Sequence, residues 1–135
     1  MCGITGFVSY PSLSSENKID VIKKMTSKLS HRGPDDSGTW IDNSNNIAFG
    51  HRRLSIIDLS SAGHQPMLSP CKRFVVVFNG EIYNHLALRN EINNLNRSNK
   101  FYNSWLGSSD TETLLRCFEI WGFEKTLSKL VGMFS

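Results

Sequence analysis

A cysteine directly behind the initiator methionine, in MCGITGF, is the residue of this sequence best suited to covalent chemistry. Removal of Met1 would make Cys2 the N-terminus, placing a thiol and a free α-amine on one residue. A thiol with a reference pKa of about 8.5 is only partly ionised near neutrality and needs a base beside it. An α-amine, with a reference pKa of about 7.7 to 8.0, is neutral often enough at that pH to take the thiol's proton. Nucleophile and base then come together, and none of the four histidines is required. The bland alternative is a small apolar residue opening a buried edge strand.

Other residues have two readings each. In FNGEIYN, the Asn79 amide and the Gly80 N–H end an apolar run and suit a developing oxyanion, although Asn-Gly is also a common turn. Arg53 in HRRLSIID and Asp110 in SSDTE offer opposite charges to the carboxylate and ammonium of an amino acid. Taken singly, the first is a surface charge and the second a helix cap. His31, His51, His64 and His85 lack the spacing of a helical metal pair, so no metal is expected. Cys71 and Cys117 read as packing residues, Trp40, Trp105 and Trp121 as core or pocket-edge aromatics, and Asp35-Asp36 as a solvated or capping pair in a turn.

The elements that must position these groups follow from periodicity and turn chemistry. GITGFVSY (3–10) reads as a strand, and Ile19, Ile22, Met25 and Leu29 give residues 18–29 an amphipathic helix. HRGPDDSG is a turn before a short strand TWI, and NIAFGHRRLSIID is a second strand leading into the turn-rich LSSAGHQPMLSP. FVVVF reads as a buried central strand. Two helices follow, one with Leu88, Ile92 and Leu95 on a side, the other with Leu114, Phe118 and Trp121 and a cap at Asp110 or Thr111. NRSNKFYNSW between them reads as a loop, and KTLSKLVGMFS as a short helix, a glycine and an apolar strand start.

Composition is that of an ordinary globular chain of 135 residues: 39% hydrophobic and 20% charged, with a formal charge of +3 and scattered basic residues. This argues against a nucleic-acid partner, whose mark is a gathered basic face. No apolar run reaches the ~18 residues of a membrane span, and no basic and apolar leader opens the chain. Three widely spaced cysteines without a C-x-x-C pair fit a reducing, cytoplasmic setting.

In order and spacing, MCGITGF, HRGPDDSG, HRRLSIIDLSSAGHQPM, FNGEIYNH and SSDTETLL resemble the N-terminal glutaminase domain of glutamine-hydrolysing asparagine synthetases. These are class II amidotransferases of the N-terminal-nucleophile (Ntn) hydrolase fold. The resemblance implies an α+β, four-layer αββα sandwich with two antiparallel sheets, spanning residues 1–135 as one glutamine amidotransferase domain of type 2. It implies Cys2 as nucleophile, forming a γ-glutamyl thioester that water hydrolyses, with Asn79 and Gly80 as oxyanion hole. Arg53 would grip the substrate carboxylate within the pocket wall Arg53, Leu54, Ser55, Ile56 and Ile57. Glu81 and Asp110 would receive the α-ammonium, and Arg32, Gly33, Pro34 and Asp35 would support the site.

L-glutamine is the substrate so implied, and a synthetase domain or subunit the acceptor of its ammonia in asparagine biosynthesis. No cofactor attends the glutaminase step; ATP and magnesium belong to the synthetase half, which these residues do not include. Membranes are not implied as partners, and the resemblance allows a homodimer. Because the chain halts on an apolar pair, the domain is expected to be C-terminally incomplete. Two other readings stay open: a remnant that binds glutamine or a partner without turnover, and an Ntn hydrolase acting on another amide.

Overall fold

The computed structural model describes residues 2–95 and 104–135, which form helices and antiparallel strands, an α+β chain as expected. They sort into two compact units. Among the described residues, the first comprises residues 2–55, His64–Pro66 and Val77–Asn79; the second comprises Ile56–Gly63, Met67–Val76, residues 80–95 and residues 104–135. Of the expected loop 96–105, residues 96–103 lie outside the described residues.

The first unit is a three-stranded antiparallel sheet backed by a helix. Strands β1 (Gly3–Val8), β2 (Asp36–Asp42) and β3 (Ile47–Arg53) stand in the order β1-β3-β2, with Gly3 opposite Arg52 and Asp36 opposite Arg53. The strand expected as TWI is therefore longer, because DSG continues the ladder along β3 up to Arg53.

Helix α1 (Ser15–Lys28) is capped by Ser14, whose hydroxyl accepts the Asn17 N–H, and buries Lys18, Ile22 and Thr26. The buried stripe differs from the expected one, and Ile19 is 41% exposed. The difference arises because two polar residues on this face carry their own partners. Lys18 reaches Asn46 Oδ1 at 2.7 Å through its ammonium, and the Thr26 hydroxyl donates to the Ile22 carbonyl, so both enter the core satisfied.

In the second unit, strands β4 (Met67–Leu68) and β5 (Val75–Val76) form one ladder. The expected central strand FVVVF is not one. Only Val75–Val76 is paired, on a single neighbour among the described residues, and residues 74–77 are half-buried, since full burial needs covering on both sides. Strand β6 (Gly80–Ile82) pairs with β7 (Gly132–Phe134). Helices α2 (His85–Leu95) and α3 (Asp110–Trp121) bury the apolar residues Leu88, Ile92, Leu114, Leu115 and Cys117, and Ile82 is likewise buried; α4 (Phe123–Lys129) buries Thr126, while Leu95 is exposed. The N-cap of α3 is Ser109, not Asp110 or Thr111: its hydroxyl accepts the Glu112 N–H at 3.2 Å, and the Asp110 carboxylate is engaged elsewhere. No helix among the described residues is long and apolar enough to cross a membrane.

Candidate active site

Cys2 precedes β1, and its sulfur lies against the backbone of Leu54, just past the end of β3. The Leu54 N–H donates to Cys2 Sγ at 3.4 Å, and the thiol faces the Leu54 carbonyl at 3.7 Å. Arg32 Nε donates to the Cys2 carbonyl at 3.2 Å. Residue 2 is therefore pinned at its sulfur and at its carbonyl by two different segments of the first unit.

The loop that touches the sulfur is itself strapped down. Asp35 donates its N–H to the Arg53 carbonyl at 3.0 Å and accepts the Ser55 N–H on Oδ2 at 2.8 Å, bracketing Leu54. Arg52 Nε donates to the Gly33 carbonyl at 2.9 Å. A Cβ at Gly33 would fall 2.5 Å from the Arg52 carbonyl carbon and 2.7 Å from that of Arg53, so only glycine permits this approach. HRGPDD thus acts on the site through backbone geometry, placing Arg53, Leu54 and Ser55. Arg53 is itself 8% exposed.

Asn79 follows Phe78, whose backbone is held by two side chains. The Phe78 N–H donates to Gln65 Oε1 at 2.7 Å, and its carbonyl lies 3.1 Å from His51 Nε2. Because a carbonyl only accepts, Nε2 carries the proton; Nδ1 is buried without a partner. Burial pushes the His51 pKa below its ordinary value, against a smaller opposing effect of the Phe78 carbonyl. On the neighbouring strand, partial burial opposes ionisation of Asp36. The hydrogen bond from His64 at 2.7 Å, with the Ser37 N–H, outweighs it and holds that carboxyl low.

The remaining expected site residues belong to the second unit. Ile56 and Ile57 are exposed, as is Glu81 on β6. Gly80 faces β7, where a Cβ would meet Phe134 Cβ at 2.5 Å, so strand packing alone already demands a glycine there. Asp110, 5% exposed, accepts the Ile82 N–H on Oδ2 at 2.9 Å. The turn before Asp110 is fixed by Arg89, which donates to Thr113 Oγ1, the Gly107 carbonyl and the Ser109 carbonyl, and lies 4.2 Å over the Trp105 ring. Glu112 accepts the Leu106 and Gly107 N–H groups, and Asp58 accepts that of Ser108.

The structure thus brings Cys2 together with Leu54 and the Arg53–Ser55 backbone, and places Asn79 in the same unit. Sequence reasoning missed the paired hold of His51 and Gln65 on Phe78 and the Arg89 network. The available signal was a polar residue interrupting the apolar alternation of a strand, at His51. Cys117 is no rival nucleophile: it is fully buried, and burial pushes its thiol up to about 12. Among the described residues no cluster of His, Cys, Asp and Glu is arranged to hold a metal ion.

The chain as a whole has counterparts among known proteins. The profile of the glutamine amidotransferase domain matches residues 1–135, and the chain belongs to that family. It is 39% identical over 136 residues to asparagine synthetase [glutamine-hydrolyzing] 1 of Bacillus subtilis (strain 168), covering all of this chain and 20% of that protein. A putative asparagine synthetase [glutamine-hydrolyzing] of Mycobacterium bovis is 37% identical over 146 residues, again all of this chain and 21% of the relative. A protein of Gibberella zeae named amidase chry2 is 29% identical over 143 residues, with all of this chain and 20% of that one covered. The chain spans about a fifth of the length of the curated relatives it matches.

Proposed function

We propose that this chain is the glutaminase part of an asparagine synthetase, releasing ammonia from L-glutamine through a thioester on Cys2. Membership of the glutamine amidotransferase family supports the reaction class. The observation that carries the assignment of the nucleophile is the seating of Cys2 Sγ on the Leu54 N–H, in the loop that Asp35 straps in place.

With Met1 removed, the Cys2 amine accepts the thiol proton as sulfur attacks the glutamine side-chain carbonyl carbon. The resulting oxyanion is received by the Asn79 amide and the Gly80 N–H. As the tetrahedral intermediate collapses, the carbon–nitrogen bond breaks and the proton passes from the amine to the leaving nitrogen, giving ammonia and a γ-glutamyl thioester. Water then adds to the thioester carbonyl, glutamate departs, and the thiol is restored. Arg53, with the Leu54–Ile57 wall, takes the substrate carboxylate, while Glu81 and Asp110 take its ammonium. This step uses no cofactor.

Ammonia passes to an acceptor domain or subunit that activates aspartate, or a related carboxylate, with ATP and magnesium; the asparagine synthetases among the relatives support this choice. The relative named an amidase supports a second reading, in which the same nucleophile hydrolyses another amide. A cytoplasmic setting suits the free cysteines.

The test is ammonia release from glutamine, with intact-mass measurement of Met1 removal and with Cys2→Ala as control. Turnover that disappears in Cys2→Ala supports the proposal. Glutamine binding without turnover, or turnover untouched by that change, contradicts it.

A further inference from the structure

We propose that His51 and Gln65 are positioning residues for the oxyanion-binding Asn79, acting through the Phe78 backbone that they hold on both sides. This deepens the glutaminase reading above and rests on its assignment of Asn79.

The Phe78 N–H belongs to the peptide plane before its Cα, and the Phe78 carbonyl to the plane after it, which includes the Asn79 nitrogen. Gln65 Oε1 fixes the first plane at 2.7 Å and His51 Nε2 the second at 3.1 Å. All three residues are buried: His51 at 0%, Phe78 at 4% and Gln65 at 5% exposure. Strand β5 stops at Val76, so no ladder bond of that strand sets the direction of the chain at residues 77–79. Two side chains therefore do what a neighbouring strand does elsewhere.

An oxyanion donor is effective only where its N–H is aimed before charge develops, and a small tilt of the preceding plane displaces the amide at the end of the Asn79 side chain. The Nε2–H form of His51 is the one that can hold the carbonyl, and a second proton on its buried Nδ1 would find no acceptor. The charged and titratable groups that act on this ring are Asp36, Arg53 and His64.

The test compares unaltered protein with His51→Leu, His51→Gln, His51→Asn and Gln65→Leu. It measures kcat and KM for glutamine, and inhibition by an aldehyde analogue of glutamine whose adduct with the Cys2 sulfur places an oxygen in the oxyanion position. We expect His51→Leu and Gln65→Leu to lower kcat by ~10 to 100-fold and to weaken the aldehyde comparably, with KM within about threefold. His51→Gln, which returns a donor near the Nε2 position, should recover kcat to within about fivefold.

A fall in kcat and a rise in KM of similar size, without rescue by Gln, would mean a merely structural role and overturn the proposal. So would a kcat within twofold in His51→Leu. Should His51→Leu fail to fold, the Gln and Asn variants decide: the shorter Asn amide should be at least about tenfold slower than Gln, and equality overturns the proposal. Absence of Cys2-dependent turnover in unaltered protein overturns the underlying reading, and this proposal with it.

Discussion

Asp110 carries two assignments that substitution can separate. Its carboxylate accepts the Ile82 N–H at 2.9 Å in a position only 5% exposed, and the proposed function asks its negative charge to receive the ammonium of glutamine. Asp110→Ala removes both and leaves a buried N–H without a partner, which costs about 1 to 3 kcal/mol. For a chain of this size each kcal/mol lowers Tm by roughly 3 to 5 °C, so a drop of about 3 to 15 °C is expected. Asp110→Asn keeps an acceptor oxygen but not the charge. Its Tm should fall by less than about 4 °C, while KM for glutamine rises ~10-fold or more in both variants, because a charge-assisted contact is lost. Thermal melts and steady-state kinetics read the two effects independently. Equal destabilisation by Asn and Ala would refute the role assigned to the acceptor oxygen. A KM within twofold of the unaltered value in Asp110→Asn would refute the role assigned to the charge.

Three other outcomes follow from single features. Gly33→Ala forces the 32–35 strap off the Arg52–Arg53 backbone and should cost about 1 to 3 kcal/mol in denaturant titration, with glutaminase activity falling further than stability explains; an unchanged midpoint would contradict the close approach. His51 and His85 both have pKa values pushed down by burial, so the unfolded chain binds more protons as pH drops. Stability should be full above about pH 6.5 and decline as pH falls through and below it, with a shallower slope in His51→Gln; a flat profile between pH 7.5 and 5 would refute this. Finally, an alkylating reagent at pH 8 should modify exposed Cys71 in the native protein and spare Cys117, whose thiol is buried and pushed up to about 12; peptide mapping that finds Cys117 labelled as fast as Cys71 would refute its inertness.

The motifs around the proposed nucleophile were legible because each depends on local residue types: a thiol at position 2, a Gly-Pro-Asp turn, an Asn-Gly pair. Element types were legible where periodicity was strong, as in α2 and α3, whose buried Leu88, Ile92 and Leu114 lie where the 3.6-residue pattern placed them. What periodicity missed lies where polar groups enter the core with a distant partner. Lys18 replaces Ile19 on the buried face of α1 because Asn46, 28 positions away, receives its ammonium. Val75–Val76 has the composition of a central strand, yet burial depends on what covers a strand, which β-branching does not encode. Ser109 rather than Asp110 caps α3, since the Asp110 carboxylate is drawn to Ile82, another contact with no local signature. The hold of His51 and Gln65 on Phe78 joins three separated segments and could not be read from any one of them.

The most direct test of the central claim is covalent mapping. Protein incubated with a diazoketone analogue of glutamine is digested, and the modified peptide is sequenced by mass spectrometry while ammonia release is followed in parallel. A single adduct is expected on the sulfur of Cys2, on chains that have lost Met1, with activity declining in proportion to labelling and glutamine protecting against both. An adduct elsewhere, or full activity on chains whose Cys2 is modified, would contradict it.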